Sequence, residues 1–114
     1  MKTFAMLWGC LLLALIDGAV AAPPEIAVRG GPSCGEWVAH RDKSDTLALG
    51  NAYWLVGYLS GIAVGSGTDL LPGTDISSIN GWMDKYCKTN PLKDAASGGN
   101  ALATELLKNK RTAK

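Results

Sequence analysis

The side chains that could catalyse a reaction are few and lie far apart in the sequence. His40 is the single histidine, and it is the one side chain suited to proton transfer near neutral pH. A lone histidine near the end of a short helix is typical of a surface residue or a partner of the helix dipole. Ser60 lies in no Gly-x-Ser-x-Gly elbow, so we expect its hydroxyl to hydrogen-bond back to a helical carbonyl.

Paired carboxylates would indicate a hydrolase, and no motif nominates such a pair. A glycosidase needs two carboxyl groups about 5 to 9.5 Å apart across a cleft. The acids are instead spread along the chain as Glu36, Asp42, Asp45, Asp69, Asp75, Asp84, Asp94 and Glu105. A zinc site lacks ligands, because there is one histidine and no second cysteine pair. We therefore expect no enzymatic activity, no metal and no cofactor.

Residues 1–21 have the pattern of a cleavable signal peptide. Lys2 gives a basic start, residues 4–16 form an apolar run, and Ala19-Val20-Ala21 is a small-x-small cleavage pattern. We expect cleavage after Ala21 and a periplasmic protein. The run is interrupted at Asp17 and is too short for a stable membrane span, which needs about 20 residues.

A lipoprotein is the alternative form of export. The segment Leu7-Trp8-Gly9-Cys10 loosely resembles a lipobox. The bulky Trp8 and the continuation of the apolar stretch past Cys10 argue against lipid attachment there.

Two cysteines remain once the signal peptide is removed. An even count in an oxidising compartment predicts a disulfide between Cys34 and Cys87. The bond would close a loop long enough to stabilise the fold by about 4 kcal/mol in the chain-entropy treatment. That is a large share of the stability of a small domain.

Composition and charge describe one small globular domain. The 114 residues are 47 % hydrophobic and 18 % charged, with a net charge of +1. A nucleic-acid-binding surface would show clustered lysine and arginine, and these cluster only in the tail from Lys108 onward. We interpret residues 110–114 as a solvated basic end and expect no nucleic acid partner.

Helical spacing predicts an all-α domain over residues 33–109. It follows an irregular leader, residues 22–32, that is rich in proline and glycine. No segment alternates as a strand would. Ser33 and Glu36 match a capping box, and Asp75 is a good N-cap for the third helix. The predicted helices are about Cys34–Arg41, Ala52–Val64, Ile76–Thr89 and Asp94–Asn109.

Three helix boundaries depend on less decisive signals. Gly65 suits a C-cap for the central helix. The sequence leaves open whether the turn carrying Leu47 joins that helix. Gly98-Gly99 weakens the fourth helix, which we expect to be firm only from Asn100.

The central helix should be apolar almost all round. Gly57, Gly61 and Gly65 recur every four residues on one face, and a glycine costs roughly 1 kcal/mol against alanine in a helix interior. Two interpretations remain: the glycines allow another helix to approach closely, or they line a groove for a partner.

Aromatic residues are numerous for so small a domain, and we expect an exposed patch at Tyr53 and Trp54, where the central helix begins. A tight apolar turn, Leu70-Leu71-Pro72-Gly73, should tuck against the core. The candidate residues for binding a partner are Tyr53, Trp54, Gly57, Tyr58, Gly61, Leu70 and Leu71.

Several of these segments together resemble known exported helical domains. They include Cys34-Gly35-Glu36-Trp37, Trp54 to Gly61, Tyr86-Cys87 and Asn90-Pro91-Leu92. The cysteine positions are similar to those of the HdeA/HdeB acid-stress chaperones, so the resemblance implies a four-helix HdeA-like fold. The Gly57, Gly61 spacing and the Leu-Pro-Gly turn look instead like Tai-type immunity proteins, which neutralise type VI amidase effectors.

The resemblance implies two functions. An acid chaperone would be a folded homodimer near neutral pH and would loosen in acid to bind unfolding clients. An immunity protein would present a preformed loop, here Gly65 to Thr74, that blocks an effector's active site. A third possibility is a periplasmic protein of this fold with an unrelated partner.

Overall fold

The fold consists of four α-helices. A computed structural model describes residues 18, 20–24 and 26–113. Most of the predicted signal peptide, with Cys10, lies outside the described residues. The helices are α1 Cys34–Lys43, α2 Thr46–Ser66, α3 Ile76–Thr89 and α4 Ala95–Thr112. The described part of the chain contains no strand, only a single bridge between Ser33 and Asp94. The prediction of an all-α domain is confirmed.

The predicted disulfide is present and joins α1 to α3. The Cα atoms of Cys34 and Cys87 are 4.7 Å apart, and both residues are buried. The bond links the first turn of α1 to the last turn of α3, as expected. It lies in a core that also contains Trp37, Leu55, Leu59, Leu70, Ile79, Met83, Ala95, Leu102 and Ala103.

Short polar side chains fix where the helices begin. At α1, Ser33 and Glu36 form the predicted capping box, with reciprocal hydrogen bonds of 2.8 and 3.1 Å. At the other three helices an aspartate carboxylate accepts the amide three residues ahead, namely Asp45 for α2, Asp75 for α3 and Asp94 for α4. Since α3 begins at Ile76 and ends at Thr89, before Asn90, the bounds predicted for it are confirmed at both ends.

The central helix is longer than predicted. It begins at Thr46, because Asp45 caps it and Gly50-Asn51 does not interrupt it. It ends at Ser66, because Gly67 and not Gly65 adopts the left-handed C-cap conformation, with φ of 63°. By length and composition alone α2 could cross a membrane, although the core helix of a soluble protein can pass the same test.

The fourth helix begins earlier than predicted, and its two glycines explain why. Gly98 and Gly99 are buried inside α4. A Cβ atom on Gly98 would lie 2.8 Å from the Tyr86 ring, and one on Gly99 would lie 2.7 Å from the Tyr58 ring. Close approach to α2 and α3 thus offsets the intrinsic cost of glycine, and α4 is helical from Ala95.

The glycines of α2 do not allow another helix to approach closely, which was the first of the two interpretations. No atom lies within 4 Å of a Cβ built on Gly57, Gly61 or Gly65. All three are exposed, so no helix of the described chain packs against them. Close helix approach belongs to Gly98 and Gly99 instead.

Two alanine substitutions should therefore change stability in opposite directions. Gly99→Ala forces a methyl group against Tyr58, and we expect a net loss of about 1 to 2 kcal/mol in the free energy of unfolding. Gly81→Ala in α3 meets nothing within 4 Å and should gain up to about 1 kcal/mol from helix propensity. Urea unfolding followed by tryptophan emission measures both, and a gain from Gly99→Ala would contradict the packing described.

Candidate binding surface

The solvent-facing side of α2 is an open surface with several exposed apolar side chains. Tyr53 is 60 % exposed, which agrees with its predicted place in a patch. Gly57 and Gly61 lie on the same exposed side. No Asp, Glu, Lys or Arg occurs between Thr46 and Ser66. This side of α2 offers an uncharged surface suited to an apolar partner.

Trp54 is less exposed than its neighbour, because the leader covers it. The indole Nε1 donates to the carbonyl of Arg29 at 3.2 Å. Gly31 lies so close that a Cβ there would be 2.5 Å from the indole ring. The end of the leader, predicted to be irregular, therefore forms a strap across Trp54 and leaves that side chain half-buried.

Tyr58 joins α2 to α4. Its ring stacks on Trp54 with centroids 5.1 Å apart and planes 9° apart. Its hydroxyl donates to Oδ1 of Asn100 at 2.9 Å, and its edge lies against Gly99. Tyr58 is thus chiefly a packing residue. A second stacked pair, Trp82 and Tyr86 on α3, flanks α4 in a similar way.

The loop between α2 and α3 is anchored by a buried leucine. Leu70 is 1 % exposed, so it belongs to the core and cannot contact a partner of the folded protein. Leu71 is half-buried, and its carbonyl accepts the amide and the hydroxyl of Thr74 at 3.0 and 2.6 Å. Gly73 has φ of 78°, which favours glycine. The expectation that this turn tucks against the core is confirmed.

His40 lies beside the junction of α1 and α2. Its Nδ1 is 2.7 Å from Oδ2 of Asp45, the N-cap of α2. This hydrogen bond lowers the pKa of the Asp45 carboxyl. His40 lies in the last turn of α1, where a partner of the helix dipole was expected, and it also contacts the start of the next helix. Ser60 donates to the carbonyl of Val56 at 2.8 Å, as predicted.

Asp84 accepts three side-chain hydrogen bonds. Its Oδ1 accepts from Trp37 Nε1 at 2.7 Å and from Arg41 Nε at 2.9 Å, while Oδ2 accepts from Arg41 Nη2 at 2.8 Å. Partial burial opposes the charge of Asp84, but the hydrogen bonds from Arg41 and Trp37 outweigh it and lower the pKa of the carboxyl. This cluster ties α1 to α3 beside the disulfide.

Substitutions at Asp84 should distinguish the contribution of the Trp37 hydrogen bond to stability from that of the Arg41 ion pair. Asp84→Ala leaves the buried Trp37 N–H without an acceptor, and we expect a loss of about 2 kcal/mol in the free energy of unfolding. Asp84→Asn keeps an acceptor oxygen for Trp37 and should lose less. Urea unfolding of both variants measures the difference. Equal stability of Asp84→Ala and the parent protein would mean that the cluster does not hold α1 to α3.

Five acidic side chains of the described residues are placed where they hold helices. Among the described residues no three His, Cys, Asp or Glu side chains come together as metal ligands would. The carboxylates with lowered pKa values are Glu36, Asp45, Asp75, Asp84 and Asp94. Each of them holds a helix start or a helix pair. All five carboxylates have one chemical property in common, which is that they take up a proton in acid.

The fold and these contacts define a small all-α domain closed by one disulfide, with an open apolar face on its central helix. No protein-family model matches the chain, and comparison with curated proteins and with solved structures finds no significant match. The function is therefore inferred from the residues and their geometry.

Proposed function

We propose that the protein is a non-enzymatic, protein-binding domain of the periplasm that acts as an acid-stress chaperone of the HdeA-like type. The observation that carries the proposal is the placement of its carboxylates. The capping carboxylate of every helix has a lowered pKa, and so has Asp84 between α1 and α3. Proton uptake in acid therefore weakens the cap of each of the four helices.

The physical cause is the same at each helix start. The backbone amide of Ser78, followed by its hydroxyl, lowers the pKa of Asp75, and Ser97 does the same for Asp94. A protonated carboxyl accepts these hydrogen bonds weakly and loses its attraction to the helix dipole. The helices should then loosen together, while the covalent link between Cys34 and Cys87 keeps the chain compact.

The surface released by loosening would be apolar and aromatic. The tyrosines of the stacked pairs Trp54–Tyr58 and Trp82–Tyr86 pack on the two glycines of α4. Separation of α4 from α2 and α3 would expose both pairs next to the uncharged side of α2. Such a surface suits the apolar segments of an unfolding client.

Suppression of client aggregation in acid tests the proposal. Malate dehydrogenase is held at about pH 2.5 and then neutralised, with light scattering recorded with and without the oxidised protein. We expect reduced scattering at a few molar equivalents of the chaperone. A control adds the protein to heat-aggregating client at neutral pH, where no suppression is expected. Unchanged scattering in acid would rule out the chaperone function.

A second candidate is an immunity protein that inhibits a secreted cell-wall amidase. The preformed loop between α2 and α3 favours it, because buried Leu70 and the hydrogen bonds of Thr74 hold the loop in one conformation. A rigid loop can enter an active site at a low entropic cost. An amidase gene beside this one, and inhibition of its product by this protein, would support the immunity function over the chaperone.

A further inference from the structure

We propose that the cleft between the end of the leader, α1 and α2 is a binding site for an arginine side chain of a partner protein. The proposal concerns the folded protein at neutral pH and does not depend on a function in acid. The cleft has a volume of about 280 Å³, and its walls include Gly30, Gly31, Glu36, His40, Leu47 and Asn51. Pockets for small molecules usually measure about 300 to 1,000 Å³, so this cleft has the size for one long side chain.

Glu36 gives the cleft its negative charge. Its Oε2 accepts the amide of Ser33 at 2.8 Å, and no described residue donates a hydrogen bond to its Oε1. The hydrogen bond from the backbone of Ser33 lowers the pKa of the Glu36 carboxyl, so this group is ionised at neutral pH. The carboxylate thus holds the start of α1 with one oxygen and offers the other to a ligand.

His40 adds a second acceptor whose orientation is fixed by Asp45. Its Nδ1 lies 2.7 Å from Oδ2 of Asp45, so a neutral imidazole donates from Nδ1 and presents the lone pair of Nε2. If His40 were protonated, Asp45 would balance its charge, and Glu36 would still leave the cleft negative. The cleft therefore favours a cation in either state of His40.

The positions of the acceptors favour a guanidinium group over an ammonium group. Glu36 and His40 are four residues apart and lie on one face of α1, while Asn51 adds an amide oxygen from α2. A guanidinium group has five N–H donors in one plane and can bond several acceptors at once, whereas an ammonium group is a compact point charge. The cleft therefore suits arginine better than lysine.

The rim of the cleft favours an arginine that belongs to a protein. Leu47 lines the cleft and is 59 % exposed. The aliphatic stem of an arginine packs on such a side chain, and the surrounding surface of a partner protein would cover the rest of it. The carboxylate of free arginine would instead add repulsion from Glu36.

NMR titration of the isotopically labelled, oxidised protein near neutral pH tests the site. The probes are acetyl-Gly-Arg-Gly-amide and the same peptide with lysine or citrulline in place of arginine, since citrulline has the shape of arginine without its charge. We expect saturable shifts at the amides of Gly30 and Gly31, at the His40 imidazole and at the Asn51 side chain, with a dissociation constant on the order of 1 mM for the arginine peptide. The lysine peptide should bind roughly threefold more weakly, and the citrulline peptide roughly tenfold more weakly.

Glu36→Gln is the decisive variant, because glutamine also serves in a capping box and the start of α1 is kept. It should weaken binding of the arginine peptide roughly tenfold while the helical circular dichroism is unchanged. Asp42→Asn is the matched control, since it removes an exposed carboxylate of α1 that does not line the cleft, and it should leave the affinity unchanged. Equal affinity of Glu36→Gln and the parent protein, or no saturable shift up to about 20 mM peptide, would overturn the proposal.

Titration with free L-arginine separates a protein partner from a small molecule. Because Glu36 repels its carboxylate, free arginine should bind more weakly than the capped peptide. Tighter binding of free arginine would indicate an amino-acid site and overturn the assignment to a partner protein. Equal binding of the citrulline and arginine peptides would show that charge does not select the ligand, which would also overturn the proposal.

Discussion

The double variant Cys34→Ala/Cys87→Ala is expected to lose about 4 kcal/mol of its free energy of unfolding. The disulfide spans 53 residues and joins α1, which has only 10 residues, to the end of α3. Without it the unfolded chain gains the entropy that the closed loop had removed. Small domains are stable by about 5 to 15 kcal/mol, so much of this protein's stability depends on one bond.

Urea unfolding followed by tryptophan emission measures the loss. The parent protein treated with reductant is the matched comparison, and it should unfold near the midpoint of the double variant. Alanine is chosen because both cysteines are buried, and a serine hydroxyl would add an unpaired polar group. An unchanged midpoint would show that noncovalent packing alone holds α1 to α3.

Acid is expected to unfold the oxidised protein cooperatively. The pKa values of Asp45, Asp75, Asp84 and Asp94 are lowered from 3.8, so the native state binds fewer protons than the unfolded chain in this range. The stability they provide is complete above about pH 4 and is lost as the pH falls through the lowered values. Near-ultraviolet circular dichroism and tryptophan emission between about pH 7 and pH 2 should show the transition.

The variant Asp84→Asn is the control for this acid transition. It removes one carboxylate with a lowered pKa, so its stability should depend less steeply on pH below about 4 than that of the parent protein. At neutral pH it should be the less stable of the two, because it lacks the ion pair with Arg41. A folded parent protein at about pH 2, with unchanged emission, would contradict the account of the carboxylates.

Local signals in the sequence were sufficient for much of the fold. The capping box at Ser33 and the cap at Asp75 are each encoded within four residues, and the stop at Asn90-Pro91 is equally local. The bounds of α3 and the start of α1 follow from them. The disulfide followed from counting the cysteines that lie outside the predicted signal peptide.

The roles of the glycines could not be predicted, because they depend on tertiary contacts. Gly57 and Gly61 looked like a close helix contact but face solvent, whereas Gly98 and Gly99 looked like helix breakers but allow the closest packing. The intrinsic helix propensity of these four residues is the same, because all of them are glycine. Which of them is buried depends on where Tyr58 and Tyr86 lie in the folded protein.

The polar cluster at Asp84 had no signal in the sequence either. Arg41 and Asp84 are 43 residues apart, and an isolated acid on a helix is usually solvated. For the binding surface the sequence correctly placed Tyr53 outside, but it also nominated Leu70, which is buried. An apolar turn can cover the core or bind a partner, and its composition is the same in both cases.

The most direct test of the proposed function compares two acid titrations of the same oxidised protein. One follows tryptophan emission, and the other follows suppression of malate dehydrogenase aggregation after incubation at each pH. The two transitions are predicted to share a midpoint below about pH 4, where the capping carboxylates and Asp84 take up protons. Suppression at neutral pH equal to that in acid, or a complete emission change without any suppression, would contradict the proposal that acid loosening creates the client-binding surface.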